Sequence, residues 1–454
     1  MNQFRKQTTI HVPAKELADW HLSKGAFRRL SPPWEKIRVG LEPEEITEGS
    51  RAEISMKAGP VWTNWIAEHR DVVPGKGFSD IQIDGPFAKW KHVHTFSEKD
   101  EQSCELIDEI SYRMPFGIFG NIFGSGFVRS KLACTFQYRH AITKMDLERM
   151  SGEPSTPPKT IMVTGATGMI GTALECFLQM RGHRIRRVTR HPEQESDIYW
   201  DIKEGKLDIP PGENIDAVVH LAGENIAGGR WTEKQKNRIL ESRREGTRLL
   251  SQTIANMERK PEVLLSMSGA NYYQQGTESA QDENSPGGDT FLSKVCRIWE
   301  DETAPATHAG IRVVNLRSGM VLGPSGGALK KMLPAFRLGL AGPLGSGKQR
   351  VAWIALDDLI DIINRALFDS RYTGPVNAVA PQNPANREFT SSLADAVNRP
   401  AIIPAPAPAL RLALGREMAD ETLLADLAIA PGKLEDLNYP FRFPDLQSAF
   451  EFMI

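Results

Sequence analysis

The stretch Ile161-Met-Val-Thr-Gly165-Ala-Thr-Gly168-Met-Ile-Gly171 constrains the fold of this chain more than any other. A short apolar run leads into glycines at every third position, and a helix-like pattern through Leu174 and Leu178 follows. One glycine permits a tight strand-to-helix turn, the next lets backbone approach a pyrophosphate, and the third allows the helix to pack closely on the strand. Free N–H groups at the helix start then face an anion. Gly165, Gly168 and Gly171 suit those three tasks, so Gly165, Ala166, Thr167, Gly168, Met169, Ile170 and Gly171 are expected to cradle a dinucleotide.

The end of the second strand selects the cofactor. An acid there would bind a ribose 2′-hydroxyl, whereas an arginine accommodates a 2′-phosphate. Arg186-Arg-Val-Thr-Arg190-His has no acid, and Arg190 stands near the tip, so NADP is expected over NAD.

Around this motif, short apolar runs at Thr160–Thr164, Arg184–Thr189, Ala217–Leu221, Val263–Ser268 and Arg312–Leu316 alternate with helix-length segments, the pattern of a doubly wound parallel α/β sheet. Before it, Ile37–Leu41, Ala52–Met56, Ile81–Ile83, Trp90–Phe96 and Cys104–Tyr112 alternate in the manner of an antiparallel sheet with one buried face. From about Phe127 to Met150 the spacing of Phe127, Leu132, Phe136, His140 and Met145 predicts an amphipathic helix covering that sheet. The Pro-rich stretch Ser151-Gly-Glu-Pro-Ser-Thr-Pro-Pro158 divides the two patterns. The expected organisation is an α+β domain over 1–150, a linker over 151–159, a Rossmann-type domain over 160–399 and a small lobe over 400–454.

The chain's 454 residues suffice for several cores, and its 55 basic against 57 acidic residues give no basic excess to attract nucleic acid. No apolar run is long enough for membrane insertion or export, so a cytoplasmic location is expected. The widely spaced Cys104, Cys134, Cys176 and Cys296 read as reduced thiols. Nothing in the sequence fixes the oligomeric state.

The residues from about 160 onward resemble the extended (atypical) short-chain dehydrogenase/reductases, in the sugar-nucleotide epimerase-like group also labelled SulA-like. The carriers are the glycine turn at 164–171, His220-Leu-Ala-Gly-Glu-Asn225, Ser242-Arg243, Ser266-Met-Ser268 with Tyr272-Tyr273, Trp299-Glu300, Leu316-Arg317-Ser-Gly-Met-Val-Leu-Gly323, Gly326-Gly-Ala-Leu329, Asp357-Asp358 and Asn377. By that resemblance Leu221, Ala222 and Gly223 pass beneath the adenine-ribose and pyrophosphate, Trp200 and Asp201 lie near the adenine, and Arg243, Ser266 and Arg317 join the cofactor-binding set. The tail resembles the group's C-terminal lobe of the DUF1731 type. Residues 1–150 resemble the helix-grip START-like or polyketide-cyclase-like (SRPBCC) group, on Ser31-Pro-Pro-Trp34 and Asp84–His94, which implies a lipophilic ligand.

This sequence departs from the superfamily at one place. A proton-transferring Tyr and a Lys four residues later are usual, yet those positions hold Leu292 and Cys296. Lys294 lies on another helical face. Ser268 matches the usual serine, and Tyr272 and Tyr273 are the candidate phenols. An NADP-dependent oxidoreductase or epimerase acting on a small carbonyl or alcohol is expected, with a non-catalytic NADP-binding sensor, related to cell division on the SulA-like label, as the alternative.

Other motifs are weaker. Gly342–Lys348 has a nucleotide-loop spacing but lacks the following hydroxyl, because Gln349 stands there. His92 and His94 share one strand face, but His69 and His140 are distant in sequence, so no metal is expected. Trp62, Trp65, Phe78, Phe87 and Trp90 serve either a cavity or a core. Asp357 and Asp358 are expected to cap a helix.

Overall fold

A computed structural model describes residues 1–43, 45–58, 61–115, 117–151 and 156–454. The chain forms two compact units, one built on Met1–Pro157 and the other on Pro158–Leu178 and His183–Ile454. Residues 152–155 of the expected linker lie outside the described residues. Among the described residues no helix is long and apolar enough to cross a membrane.

The first unit contains β1 (Asn2–Ile10), α1 (Ala14–Leu22), α2 (Ala26–Leu30), β2 (Ile37–Leu41), β3 (Arg51–Ala58), β4 (Val61–Val73), β5 (Gly77–Asp84), β6 (Lys89–Asp100), β7 (Ser103–Arg113) and α3 (Gly117–Met150). Its seven strands pair in the order β1-β7-β6-β5-β4-β3-β2, all antiparallel. The alternation of half-buried and buried positions along β6 and β7 is the period of two that a one-sided sheet requires. The long helix begins before the expected Phe127. That residue is 72% exposed rather than packed, whereas Leu132, Phe136 and His140 are buried. The aromatic set also divides. Trp65, Phe87 and Trp90 meet edge-on or tilted beside Tyr112, Trp62 carries the Arg38 guanidinium 4.0 Å above its ring, and Phe78 lies apart against His94 and His69.

The second unit continues with β8 (Thr160–Thr164), α4 (Met169–Met180), β9 (Arg184–Thr189), β10 (Ile198–Asp201), β11 (Lys206–Leu207), β12 (Ala217–His220), α5 (Glu233–Ala255), β13 (Val263–Gly269), α6 (Phe291–Asp301), α7 (Ala304–His308), β14 (Arg312–Ser318), β15 (Met320–Leu322), α8 (Gly327–Arg337), β16 (Trp353–Ala355), α9 (Leu356–Phe368), β17 (Gly374–Ala378) and α10 (Asn386–Ala396). Four short helices close the chain: α11 (Ala407–Leu414), α12 (Arg416–Glu421), α13 (Gly432–Asp436) and α14 (Leu446–Met453). The main sheet runs β11-β10-β9-β8-β12-β13-β14-β17, parallel except for the edge hairpin β10–β11. Its order reverses at β8, which defines a Rossmann-like doubly wound α/β fold, and in such folds ligands bind at the carboxyl ends of the strands beside that reversal, here β8 and β12. Both faces are covered. Leu174, Phe177 and Leu178 from α4 and Leu359, Ile360 and Ile363 from α9 pack on one side, and Leu250 and Ile254 from α5 pack on the other. That explains the apolar runs Ile161–Val163 in β8, Ala217–Val219 in β12 and Val263–Leu265 in β13.

The closing helices share this core through Leu434 and Tyr439. Asp358 stands in the first turn of α9 but does not cap it, since the N-cap is Ala355 and no side chain bonds there. It is fully buried, and its carboxylate accepts from the backbone N–H of Arg442 at 2.8 Å, of Phe443 at 3.0 Å and from the Tyr439 hydroxyl at 3.2 Å. Replacing it removes the acceptor for one buried and one part-buried amide. Asp358→Ala is expected to cost roughly 2–3 kcal/mol. Urea denaturation checks this, and a midpoint equal to that of the parent protein contradicts it.

Candidate functional site

β8 ends in a turn whose dimensions are set by glycines. Gly165 has φ +70°, and a Cβ there would lie 3.0 Å from both the Leu221 carbonyl carbon and the Ala222 nitrogen. At Gly171 a Cβ would come within 2.3 Å of Gly165 O, so α4 starts hard against the turn. Thr167 and Gly168 are exposed between them, leaving the N-terminus of α4 open above the sheet. Met169 packs against the loop at Gly323 and Gly326, where an added Cβ would touch its side chain at 2.9 Å in each case, and Ile170 packs on the core. Thr164 locks the neighbouring strand end: its hydroxyl oxygen accepts from the N–H groups of Leu221 and Ala222, each at 3.2 Å, and lies 2.7 Å from His220 Nδ1. Burial, reinforced by Arg243, drives His220 down to about 3, so it is a neutral spacer.

The other expected cofactor residues are spread along the crevice. Arg190 is exposed just beyond β9. Trp200 is buried at the end of β10, and Asp201 Oδ1 accepts from Lys203 and Glu204 N–H groups, holding the next turn. Gly223 rests on Arg243, since a Cβ at that glycine would lie 3.0 Å from the guanidinium carbon. Arg243 donates to Glu224 O at 3.0 Å and lies 4.7 Å from the centroid of the Trp299 ring, with burial lowering it to about 10. Ser266 is completely buried within β13, where its hydroxyl donates to the neighbouring Met267 carbonyl at 3.4 Å.

At the carboxyl end of β13 the polar residues converge. Ser268 Oγ donates to Glu300 Oε1 at 2.7 Å. Arg317 clamps that carboxylate through Nε at 2.8 Å and Nη2 at 2.7 Å, and its Nη1 donates to the Tyr273 hydroxyl at 2.9 Å. Tyr273 in turn donates to Asn377 Oδ1 at 2.7 Å. Burial would lower the Arg317 pKa, but Glu300 outweighs it and holds the guanidinium charged. Tyr273 is wholly enclosed, and burial pushes its phenol up to about 12, so of the two candidate phenols only Tyr272 is partly open. The Tyr272 ring lies 3.4 Å beneath the Arg317 guanidinium. Arg317 is therefore a buried clamp on Glu300.

On α6, Leu292 and Cys296 are both buried, and burial raises the Cys296 thiol to about 11, which leaves it unreactive. Lys294 is exposed on another face. The residue that the sequence reading underrated is Glu300, named there only among the residues of the family resemblance. Its signal was present: one helical turn after Cys296, it stands on the same face of α6. Removing its charge strands a buried guanidinium. Glu300→Ala is expected to destabilise the second unit by about 3–5 kcal/mol. Thermal melts of Glu300→Ala and of Glu300→Ala/Arg317→Met test this, because the double variant should recover much of the loss.

Fold and site together define a dinucleotide-fold α/β protein of the short-chain dehydrogenase/reductase type. Residues 161–377 match the NAD dependent epimerase/dehydratase family, and residues 405–453 match a domain of unknown function, DUF1731. The human epimerase family protein SDR39U1 is 38% identical over 294 residues, 64% of this chain and 98% of that protein. An epimerase family protein of Mycobacterium tuberculosis is 37% identical over 282 residues, 62% of this chain and 93% of that one. The chain belongs to this epimerase family. A crystal structure described as a nucleoside-diphosphate sugar epimerase from Corynebacterium glutamicum superposes with a TM-score of 0.81 at 30% identity, covering 99% of this chain and 90% of that one. The structure of human SDR39U1 with NADPH has a TM-score of 0.61 at 38% identity, over 65% of this chain and 98% of that one.

Proposed function

We propose that the second unit binds NADP(H) and exchanges hydride with a small carbonyl or alcohol, using Ser268 and Glu300 in place of the usual Tyr and Lys. The glycine turn suits the cofactor on this chain's own geometry: the α4 N-terminus is open, and the close approaches at Gly165 and Gly171 leave no room for side chains that would cover it. Gly168 and the first amides of α4 would hold the pyrophosphate. Arg190 would meet the 2′-phosphate, and Leu221, Ala222 and Gly223 would floor the nucleotide. When bound, the nicotinamide supplies or accepts the hydride.

The observation that carries the reading is the 2.7 Å hydrogen bond from Ser268 to Glu300. Ser268 Oγ stands at the end of the sheet, where a substrate oxygen would approach. A substrate hydroxyl can donate to Ser268 as the serine proton is directed to Glu300, and Arg317 fixes the orientation of that carboxylate. Tyr272 walls the same crevice, and the NADPH described with human SDR39U1 supports the choice of cofactor.

A second reading, binding without turnover as a regulatory sensor, is favoured by Leu292 and Cys296, both buried where a proton donor and its activating cation would stand. Calorimetry should show NADPH binding that Arg190→Ala weakens by about 10–100-fold, the worth of one charged hydrogen bond, while NADH binding stays unchanged. Equal losses for both cofactors would remove Arg190 from the 2′-phosphate. Across a panel of carbonyl compounds, NADPH consumption should fall by about two orders of magnitude in Ser268→Ala. NADPH binding with no consumption by the parent protein selects the sensor.

For the first unit we propose an apolar ligand. Support comes from a cavity of about 110 Å³ lined by Leu30, Val39, Ile46, Ile54 and Phe78.

A further inference from the structure

We infer that the first unit holds a divalent transition-metal ion of the Zn²⁺ class on Asp80, His92 and His94, with one coordination position open to the cavity. The site is made by strand register. Asp80 on β5 pairs directly with His92 on β6, and His94 follows two residues later on the same face. His69 on β4 pairs with Asp80 from the other side. Distances in sequence that argued against a third ligand are therefore removed by the sheet.

The distances suit an ion. His92 Nδ1 lies 3.7 Å and His94 Nε2 3.4 Å from Asp80 Oδ2, and one ligand atom from each of the three residues falls within 4.8 Å of the others. Tetrahedral ligands at the usual bond lengths of about 2.0–2.1 Å stand about 3.4 Å from one another. Among the described residues nothing donates a hydrogen bond to the buried Asp80 Oδ1, and His69 Nε2 is 3.4 Å away.

The outer ring of partners is also built. His92 Nε2 donates to Asp108 Oδ1 at 2.7 Å, and His94 Nδ1 lies 2.7 Å from the same oxygen. The carboxylate bonded to the far nitrogen of His92 leaves that ring's near nitrogen a lone pair for a metal and fixes its direction, while at His94 Asp108 stands against the far nitrogen without a hydrogen bond among the described residues. Asp108 Oδ2 is itself held by His140 Nε2 at 2.7 Å, and His140 Nδ1 meets Thr8 Oγ1 at 2.8 Å. His69 Nδ1 is likewise occupied, 2.9 Å from Ser50 O. Two histidines and a carboxylate with an outer carboxylate form the donor set of a three-ligand open site.

The cavity explains the open position. Asp80, His94 and Arg139 line it together with apolar side chains, and Arg139 Nε is buried without a hydrogen-bond partner among the described residues. A metal and a guanidinium facing one apolar space suit a ligand with an anionic oxygen on an apolar body.

The test uses the full-length, tag-free chain stripped with chelator and titrated with Co²⁺. Visible ligand-field absorption should saturate at one ion per chain. His92→Gln and Asp80→Asn should abolish it, while Asp108→Asn should weaken binding by about 10–100-fold, as loss of an outer partner does. Exposed His308→Gln serves as the control and should leave it unchanged. Circular dichroism verifies folding, and the near-isosteric Asp80→Asn carries the test if His92→Gln unfolds. Absence of saturable Co²⁺ uptake by the unaltered chain overturns the site, as does uptake equal to the parent's in a folded Asp80→Asn.

Discussion

The second unit depends on how closely two pieces of backbone approach at the end of β8. Gly165 passes within van der Waals range of Leu221 and Ala222, Gly171 brings the first turn of α4 against Gly165, and Thr164 ties the β12 end to the same point. Each contact is short because no Cβ intervenes. The result is an uncovered helix N-terminus above the place where the strand order reverses, and in a doubly wound sheet that is where an anion is best received. Arg190, Gly223 and Arg243 gain whatever meaning they have from this fixed point.

A second constraint runs across the carboxyl ends of β13, β14 and β17. Ser268, Glu300, Arg317, Tyr273 and Asn377 form a continuous chain of hydrogen bonds, and Asn377 extends it to the closing helices by donating to Ala430 O at 2.9 Å. Glu283 joins it, accepting from the N–H groups of Asn377 and Lys433. A bidentate ion pair so enclosed is favourable only if every remaining donor and acceptor is satisfied, and here the neighbours satisfy them. Leu292 and Cys296 thus put an apolar and thiol patch on α6 beside this polar network.

The first unit follows a different logic. Its histidines are scattered in sequence, yet a single antiparallel register carries His69, Asp80 and His92 onto neighbouring strands in one row. His94 lies between Asp80 and Asp108, with Nε2 3.4 Å from one carboxylate and Nδ1 2.7 Å from the other. The same cluster holds Asp108 well below the usual carboxylate range despite its burial. Buried imidazoles and acids in such proximity are costly unless they compensate one another, which is why each ring has a defined partner.

The local features were legible from the amino acids: the strand, turn and helix around Gly165, the apolar period of a parallel sheet, the alternation of the antiparallel one, and the absence of a Tyr and Lys at 292 and 296. These depend on spacings of a few residues, and backbone geometry links such neighbours directly. Tertiary structure alone decided that Phe127 faces solvent, that Tyr273 is enclosed, that Asp358 holds Arg442 and Phe443, and that Glu300 answers both Ser268 and Arg317. It also gathered His69, His92, His94 and His140 around two aspartates. Each of those outcomes turns on partners tens of residues away, and a sequence states residue types without stating which distant ones a sheet register will bring face to face.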